Sequence, residues 1–234
     1  IVTTSRGYGN TLPIAEFAIS GLLHFAKSLG NAESERTALQ INKAGYRPLL
    51  LEGKTVCVIG AGGIGTHVGR LAAGLGLRVV GIRRNPEGDL PNGFAEIRGP
   101  DSLVDLLSES HFAAVCCQWT PETDKLMNEE AFAAMKPDGV ITNIARGEII
   151  DENAMLAALD SGHLRGAAID VYVGEFEHPP SERLWKHPNI LITPHVSGQS
   201  DIYYRRSTDL FCKNLRAFLD GKPMENVIDW ETGY

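Results

Sequence analysis

The sequence lacks paired cysteines. Its four, Cys57, Cys116, Cys117 and Cys212, form no CxxC motif, and three of them sit within apolar runs as small core residues do. A disulfide framework is excluded, no metal site is read, and the pattern points to a reducing compartment, which we take as the cytoplasm. Blocks of lysine or arginine are absent too. With 22 basic and 29 acidic residues the formal charge is -7, which disfavours nucleic acid and anionic membranes and leaves a small molecule as the partner. No run is apolar and charge-free enough to span a bilayer: the best, residues 12–25, contains Glu16 and His24 and has neither a basic leader nor a cleavage site. There is no repeat and no low-complexity tract, and the chain opens at Ile1 without a methionine.

What is present is ordinary in bulk. At 234 residues, 43% hydrophobic and 22% charged, the chain reads as one or two globular domains rather than a disordered segment. Glycine is the excess, 25 residues against a background of about 7%. Ile14, Ala18, Leu22, Phe25 and Leu29 recur at helical spacing and predict a helix over 13–28, apolar nearly all round and buried on more than one side. Residues 31–51 are polar and irregular and read as a connecting loop. Short apolar strands are expected at 55–59, 77–82, 112–117, 140–144, 167–171 and 190–193. They alternate with helices at 64–75, 102–107, 129–135 and 152–159, and a long helix over 201–219 is followed by a turn and a short tail. Six near-continuously apolar strands alternating with helices predict an α/β fold, a doubly wound parallel sheet with helices on both faces.

Gly60-Ala61-Gly62-Gly63-Ile64-Gly65 matches GxGxxG, directly after the first strand and directly opening a helix. In that context Gly60 allows the tight turn, Gly62 the close approach of backbone to a pyrophosphate, and Gly65 the packing of helix on strand, which makes the fold Rossmann-type. The acid that would accept hydrogen bonds from the adenosine ribose is missing. From residue 66 to 86 there is no Asp or Glu, and Arg83 and Arg84 stand after the second strand. Guanidinium groups there suit a 2'-phosphate and predict NADP over NAD. The alternative is a solvated loop.

Ligands of open parallel sheets sit beyond the carboxyl ends of the strands. Three of the later strands are followed by Arg146, Glu175 and His195. An imidazole exchanges a proton near neutral pH, a carboxylate fixes its tautomer, and a guanidinium grips a carboxylate or polarises a carbonyl. Together they are the parts needed to reduce a 2-keto acid beside a nicotinamide. His111, His163, His178 and His187 read as structural or solvated.

The sequence resembles the D-isomer-specific 2-hydroxyacid dehydrogenases over essentially its whole length. The resemblance is carried by GKTVCVIGAGGIG at 53–65, TPETDKLMN at 120–128, NIARGEIIDENAMLAAL at 143–159, GAAIDVY at 166–172 and PNILITPHVSG at 188–198. It implies His195 as the proton donor to the keto oxygen, Glu175 as its partner, and Arg146 as the substrate-orienting cation. Asp170 would face the nicotinamide carboxamide, Gly63 and Ile64 would approach the pyrophosphate, and Gln118, Ile144, Ser197 and Gly198 would line the cofactor cleft. Two departures stand out. Phe176 follows the catalytic Glu where the family commonly has Pro, and Arg83 replaces the acid. The resemblance further implies a homodimer and most of a substrate-binding domain ahead of Ile1. Residues 1–200 are then the dinucleotide-binding domain with its leading interdomain helix, and 201–234 a crossing helix and remnant of the substrate domain. The expected activity is hydride transfer between NAD(P)H and a small 2-keto acid of the glyoxylate or hydroxypyruvate class. The alternatives are a dinucleotide-sensing protein of the corepressor type and a cofactor-binding fragment without activity.

Overall fold

A computed structural model describes residues 1–5 and 9–230. The last four residues of the expected tail lie outside that range. One sheet of seven strands organises the chain: β1 (Thr55–Ile59), β2 (Arg78–Ile82), β3 (Phe94–Arg98), β4 (Phe112–Val115), β5 (Gly139–Asn143), β6 (Leu164–Ile169) and β7 (Ile190–Ile192). Their order is β3-β2-β1-β4-β5-β6-β7 and every pairing is parallel. The chain reverses its direction of travel across the sheet between β1 and β4. A crevice opens there because the flanking connections leave on opposite faces.

Alternate side chains of each strand enter two separate cores. Val56, Val58, Val79, Phe112, Ala114, Val140 and Ala168 face α1 (Thr11–Ala26) and α3 (Gly63–Gly74). Cys57, Ile59, Val80, Ala113, Val115, Ile141 and Ile169 face α4 (Leu103–Ser108), α5 (Glu129–Ala134) and α6 (Glu152–Asp160). Both faces of the sheet are covered, so the central strands are mainly apolar, with Thr55, Thr142 and Asn143 buried among them. Helix α1 is buried on more than one side, as its composition predicts, and rests on β5, β6 and α3. Gly21 permits this, since a Cβ there would stand 2.5 Å from that of Ala168. Asn128 and Asp151 cap α5 and α6 through their side-chain oxygens.

Three elements depart from expectation. The stretch over 31–51 is not simply a loop: it contains most of α2 (Leu29–Ala38) and a 3-10 turn at Lys43–Gly45. Helix α2 buries no residue and draws on helix-forming Ala, Glu and Arg and a Glu33–Arg36 ion pair, so it has no apolar stripe to betray it. The seventh strand, β3, lies at the sheet edge, and its only fully buried side chain is Phe94. Helix α7 (Glu182–Lys186) is one turn long and buries only Leu184.

Helix α8 (Tyr203–Leu219) follows the last strand. It buries Leu210 and Asn214 and leaves Phe211, Leu215, Phe218 and Leu219 exposed. The two ends of the chain meet: Thr3 bridges Val227 antiparallel, and the Thr4 and Ile228 amides donate to Asn226 and Val2. No helix among the described residues is long and apolar enough to cross a membrane.

Candidate active site

The crevice beyond the carboxyl ends of the strands is a cleft of about 800 Å³. Its wall includes Ile64, Arg84, Gln118, Ile144, Arg146, His195, Ser197 and Gly198, all of them singled out from the sequence. Arg146 follows β5 and His195 follows β7, two strands apart in the sheet, so parallel strands deliver them to one rim.

The nucleotide end is built by the glycine loop. Gly60 has φ +99°, and a Cβ on it would lie 2.5 Å from the Cys117 amide nitrogen. At Gly65 a Cβ would overlap the Gly60 carbonyl oxygen and meet Val58 at 3.0 Å, which is the helix-on-strand contact expected of it. Gly62 and Gly63 have nothing within 4 Å of where a Cβ would stand, and no side chain caps the amino end of α3. Open space in front of uncapped helix amides is what a pyrophosphate requires. The residues present therefore fit a dinucleotide.

The two arginines after β2 are used differently. Arg83 turns its guanidinium onto its own loop, donating to the carbonyls of Asn85, Pro86 and Glu87 at 2.7, 3.3 and 2.8 Å. Arg84 lines the cleft.

At the other end, His195 Nδ1 lies 2.8 Å from Glu175 Oε1. A carboxylate only accepts, so Nδ1 carries the hydrogen and Nε2 is the nitrogen left for a ligand. The Glu175 side chain is 9% exposed and that of His195 38%, so the pair has a dry inner half and an accessible outer one. His195 has φ +53°, an uncommon conformation for a residue with a side chain. Asp170 holds it there. Its backbone oxygen accepts from the His195 amide at 2.9 Å. Its carboxylate accepts from Thr193 Oγ1 at 2.6 Å, from the Val196 amide at 2.9 Å and from the Ser197 amide at 2.8 Å. Asp170 is 1% exposed. Its carboxylate fixes the loop that carries His195.

Asp170→Asn tests that task. An amide nitrogen cannot accept, so one backbone N–H loses its partner, and destabilisation of about 1–3 kcal/mol is expected in a denaturant titration. An unchanged midpoint would contradict the assignment.

The Arg146 segment is shaped in the same manner. Asn143, at the end of β5, donates through Nδ2 to the Arg146 carbonyl at 2.9 Å and accepts from the Ala145 amide at 3.0 Å. Gly147 then passes so close to the neighbouring loop that a Cβ would overlap the backbone of Tyr172 and Val173. The Arg146 head is exposed and donates to the Ala145 carbonyl at 2.6 Å.

Several wall residues carry no signal recognised in the sequence. Cys116, Cys117, Trp119 and Thr120 follow β4 and were findable by the strand-end rule. Asn10 and Ile14 at the start of α1, with Tyr203 and Tyr204 at the start of α8, arrive through tertiary packing alone. Burial favours the neutral thiols of these cysteines, pushing Cys117 up to about 11 and Cys116 higher still.

Comparison with known proteins agrees with this geometry. Residues 19–197 match the model of the family described as D-isomer specific 2-hydroxyacid dehydrogenase, NAD binding domain. A glyoxylate reductase of Thermococcus kodakarensis is 33% identical over 210 residues, 89% of this chain and 60% of that protein. A chloroplastic D-3-phosphoglycerate dehydrogenase of Arabidopsis thaliana is 36% identical over 195 residues, 82% of this chain and 30% of that protein. The chain therefore spans between 30% and 60% of the length of these relatives. Among solved structures, a D-isomer specific 2-hydroxyacid dehydrogenase from Xanthobacter autotrophicus Py2, in complex with NADPH and MES, superposes with a TM-score of 0.84 at 29% identity, covering 100% of this chain and 93% of that one. With its glycine loop, its parallel sheet and its matched length, the chain belongs to the D-isomer specific 2-hydroxyacid dehydrogenase family, as a nicotinamide-dinucleotide-binding domain.

Proposed function

We propose that this chain carries the hydride-transfer site of an NADP-preferring reductase of small 2-keto acids, with glyoxylate and hydroxypyruvate the first candidates. The observation that supports it most is the His195–Glu175 pair at 2.8 Å, on the rim of the cleft that Arg146 and the α3 amino end also border. A nicotinamide dinucleotide held in the cleft would supply the hydride for the keto carbon. As the carbonyl π-electrons move to oxygen, His195 Nε2 gives up its proton to that oxygen and the imidazolium becomes neutral. The hydrogen on Nδ1 is donated to Glu175 throughout, which keeps Nε2 as the nitrogen that faces the substrate. Arg146 grips the substrate carboxylate, a task suited to a planar fork of donors.

NADPH oxidation with glyoxylate, hydroxypyruvate and pyruvate tests the reading, and turnover of none of them removes it. Glyoxylate leads because the Thermococcus relative is named for it. A homodimer joined through the nucleotide-binding domains and a cytoplasmic setting belong to the same proposal, the first open to a sedimentation measurement.

The cofactor preference rests on Arg84 in the cleft and on the missing acid after β2. Arg84→Ala is expected to weaken NADPH binding by about tenfold or more and to leave NADH binding nearly unchanged, since a charge-assisted bond to the 2'-phosphate is lost in one case only. Equal losses for both cofactors, measured by fluorescence titration, would remove the NADP assignment.

A further inference from the structure

We propose that Phe176 is a positioning residue that acts through His195, an inference that rests on reading His195 as the proton donor. The bond from Nδ1 to Glu175 holds one edge of the imidazole, while the second torsion of a histidine is broad. A second contact is needed to keep Nε2 aimed. Phe176 supplies it: its ring centroid lies 6.0 Å from that of His195 with the planes 41° apart, within the range of favourable aromatic pairs.

The backbone explains how consecutive residues reach one imidazole. Gly174 has φ +77°, and the Glu177 and His178 amides both donate to its carbonyl, at 2.9 and 3.0 Å. This tight turn brings the Glu175 carboxylate to the edge of the ring and the Phe176 ring to its flank. Phe176 is 83% exposed and joins neither core, so its place beside His195 is not a by-product of core packing.

That exposure also makes the test clean, because substitution there leaves the folded state intact. In Phe176→Leu, kcat for keto acid reduction falls about tenfold with KM little changed, because the donor is misaimed while the carboxylate grip persists. Phe176→Tyr restores kcat. The ring-current shift of the His195 Hε1 proton, read by NMR without any turnover, is present in the wild type and in Phe176→Tyr and is lost in Phe176→Leu. A Phe176→Leu variant with kcat within about twofold of wild type, or with an unmoved Hε1 resonance, overturns the proposal. Should the wild type reduce no keto acid, the reading of His195 falls, while the Hε1 shift still decides whether the ring holds the imidazole.

Discussion

His195→Asn is expected to lower kcat for keto acid reduction by about a thousandfold while NADPH binding and stability hold. The substitution isolates the proton. Asparagine is among the few side-chain-bearing residues at ease at positive φ, so the conformation at φ +53° survives. Its amide can still donate to the Glu175 carboxylate, which is therefore not stranded without a partner. What disappears is the ring nitrogen Nε2 and the proton it would transfer. Glu175→Gln is the companion variant: the shape remains, but an amide can donate to Nδ1 as well as accept from it, so the tautomer that turns Nε2 to the substrate is no longer enforced, and a loss of about a hundredfold is expected. Steady-state kinetics with a fluorescence titration of NADPH separate these effects. Were His195→Asn to keep kcat within about tenfold of wild type, another group would have to be the donor.

Gly147→Ala carries the second large effect, although this residue is no part of the chemistry. The added carbon would overlap the backbone of Tyr172 and Val173, and backbone cannot rotate away as the end of a long side chain can. The exit loops of β5 and β6 are pushed apart, which costs about 1–3 kcal/mol. Arg146 is the adjacent residue, and Glu175 lies on the displaced loop. A displacement of about 1 Å between substrate grip and proton donor is expected to lower kcat/KM by about a hundredfold. Denaturant titration and kinetics together give the answer. A variant with an unchanged midpoint and unchanged kcat/KM shows that the two loops are not coupled at this point.

The parts of the fold that were legible from sequence are those buried on both sides. Strand β1 and helix α3 appear where their apolar residues and the glycine loop predict them, because strands covered on both faces are filled mostly by apolar side chains. Helix α2, strand β3 and helix α7 were not legible, since each buries one side chain or none. For the site, the strand-end rule located Arg146, Glu175 and His195. It did not reveal the task of Asp170, whose side-chain partners at 193, 196 and 197 lie more than twenty residues along the chain. Nor did it separate Arg83 from Arg84. The two are equivalent as letters, and only the fold of the following loop turns one guanidinium inward on itself.

The parallel ladder across β5, β6 and β7 also acts as a ruler. Arg146, Glu175 and His195 each depart from a different one of these adjacent strands, and the hydrogen bonds pairing the strands set the interval between departures at about 4.8 Å. The last paired residues of β5 and β7, Asn143 and Ile192, are thereby held two intervals apart, whatever sequence the surrounding loops adopt. Loops can then be exchanged to suit the far end of a substrate, while the reacting end is measured each time by the same backbone.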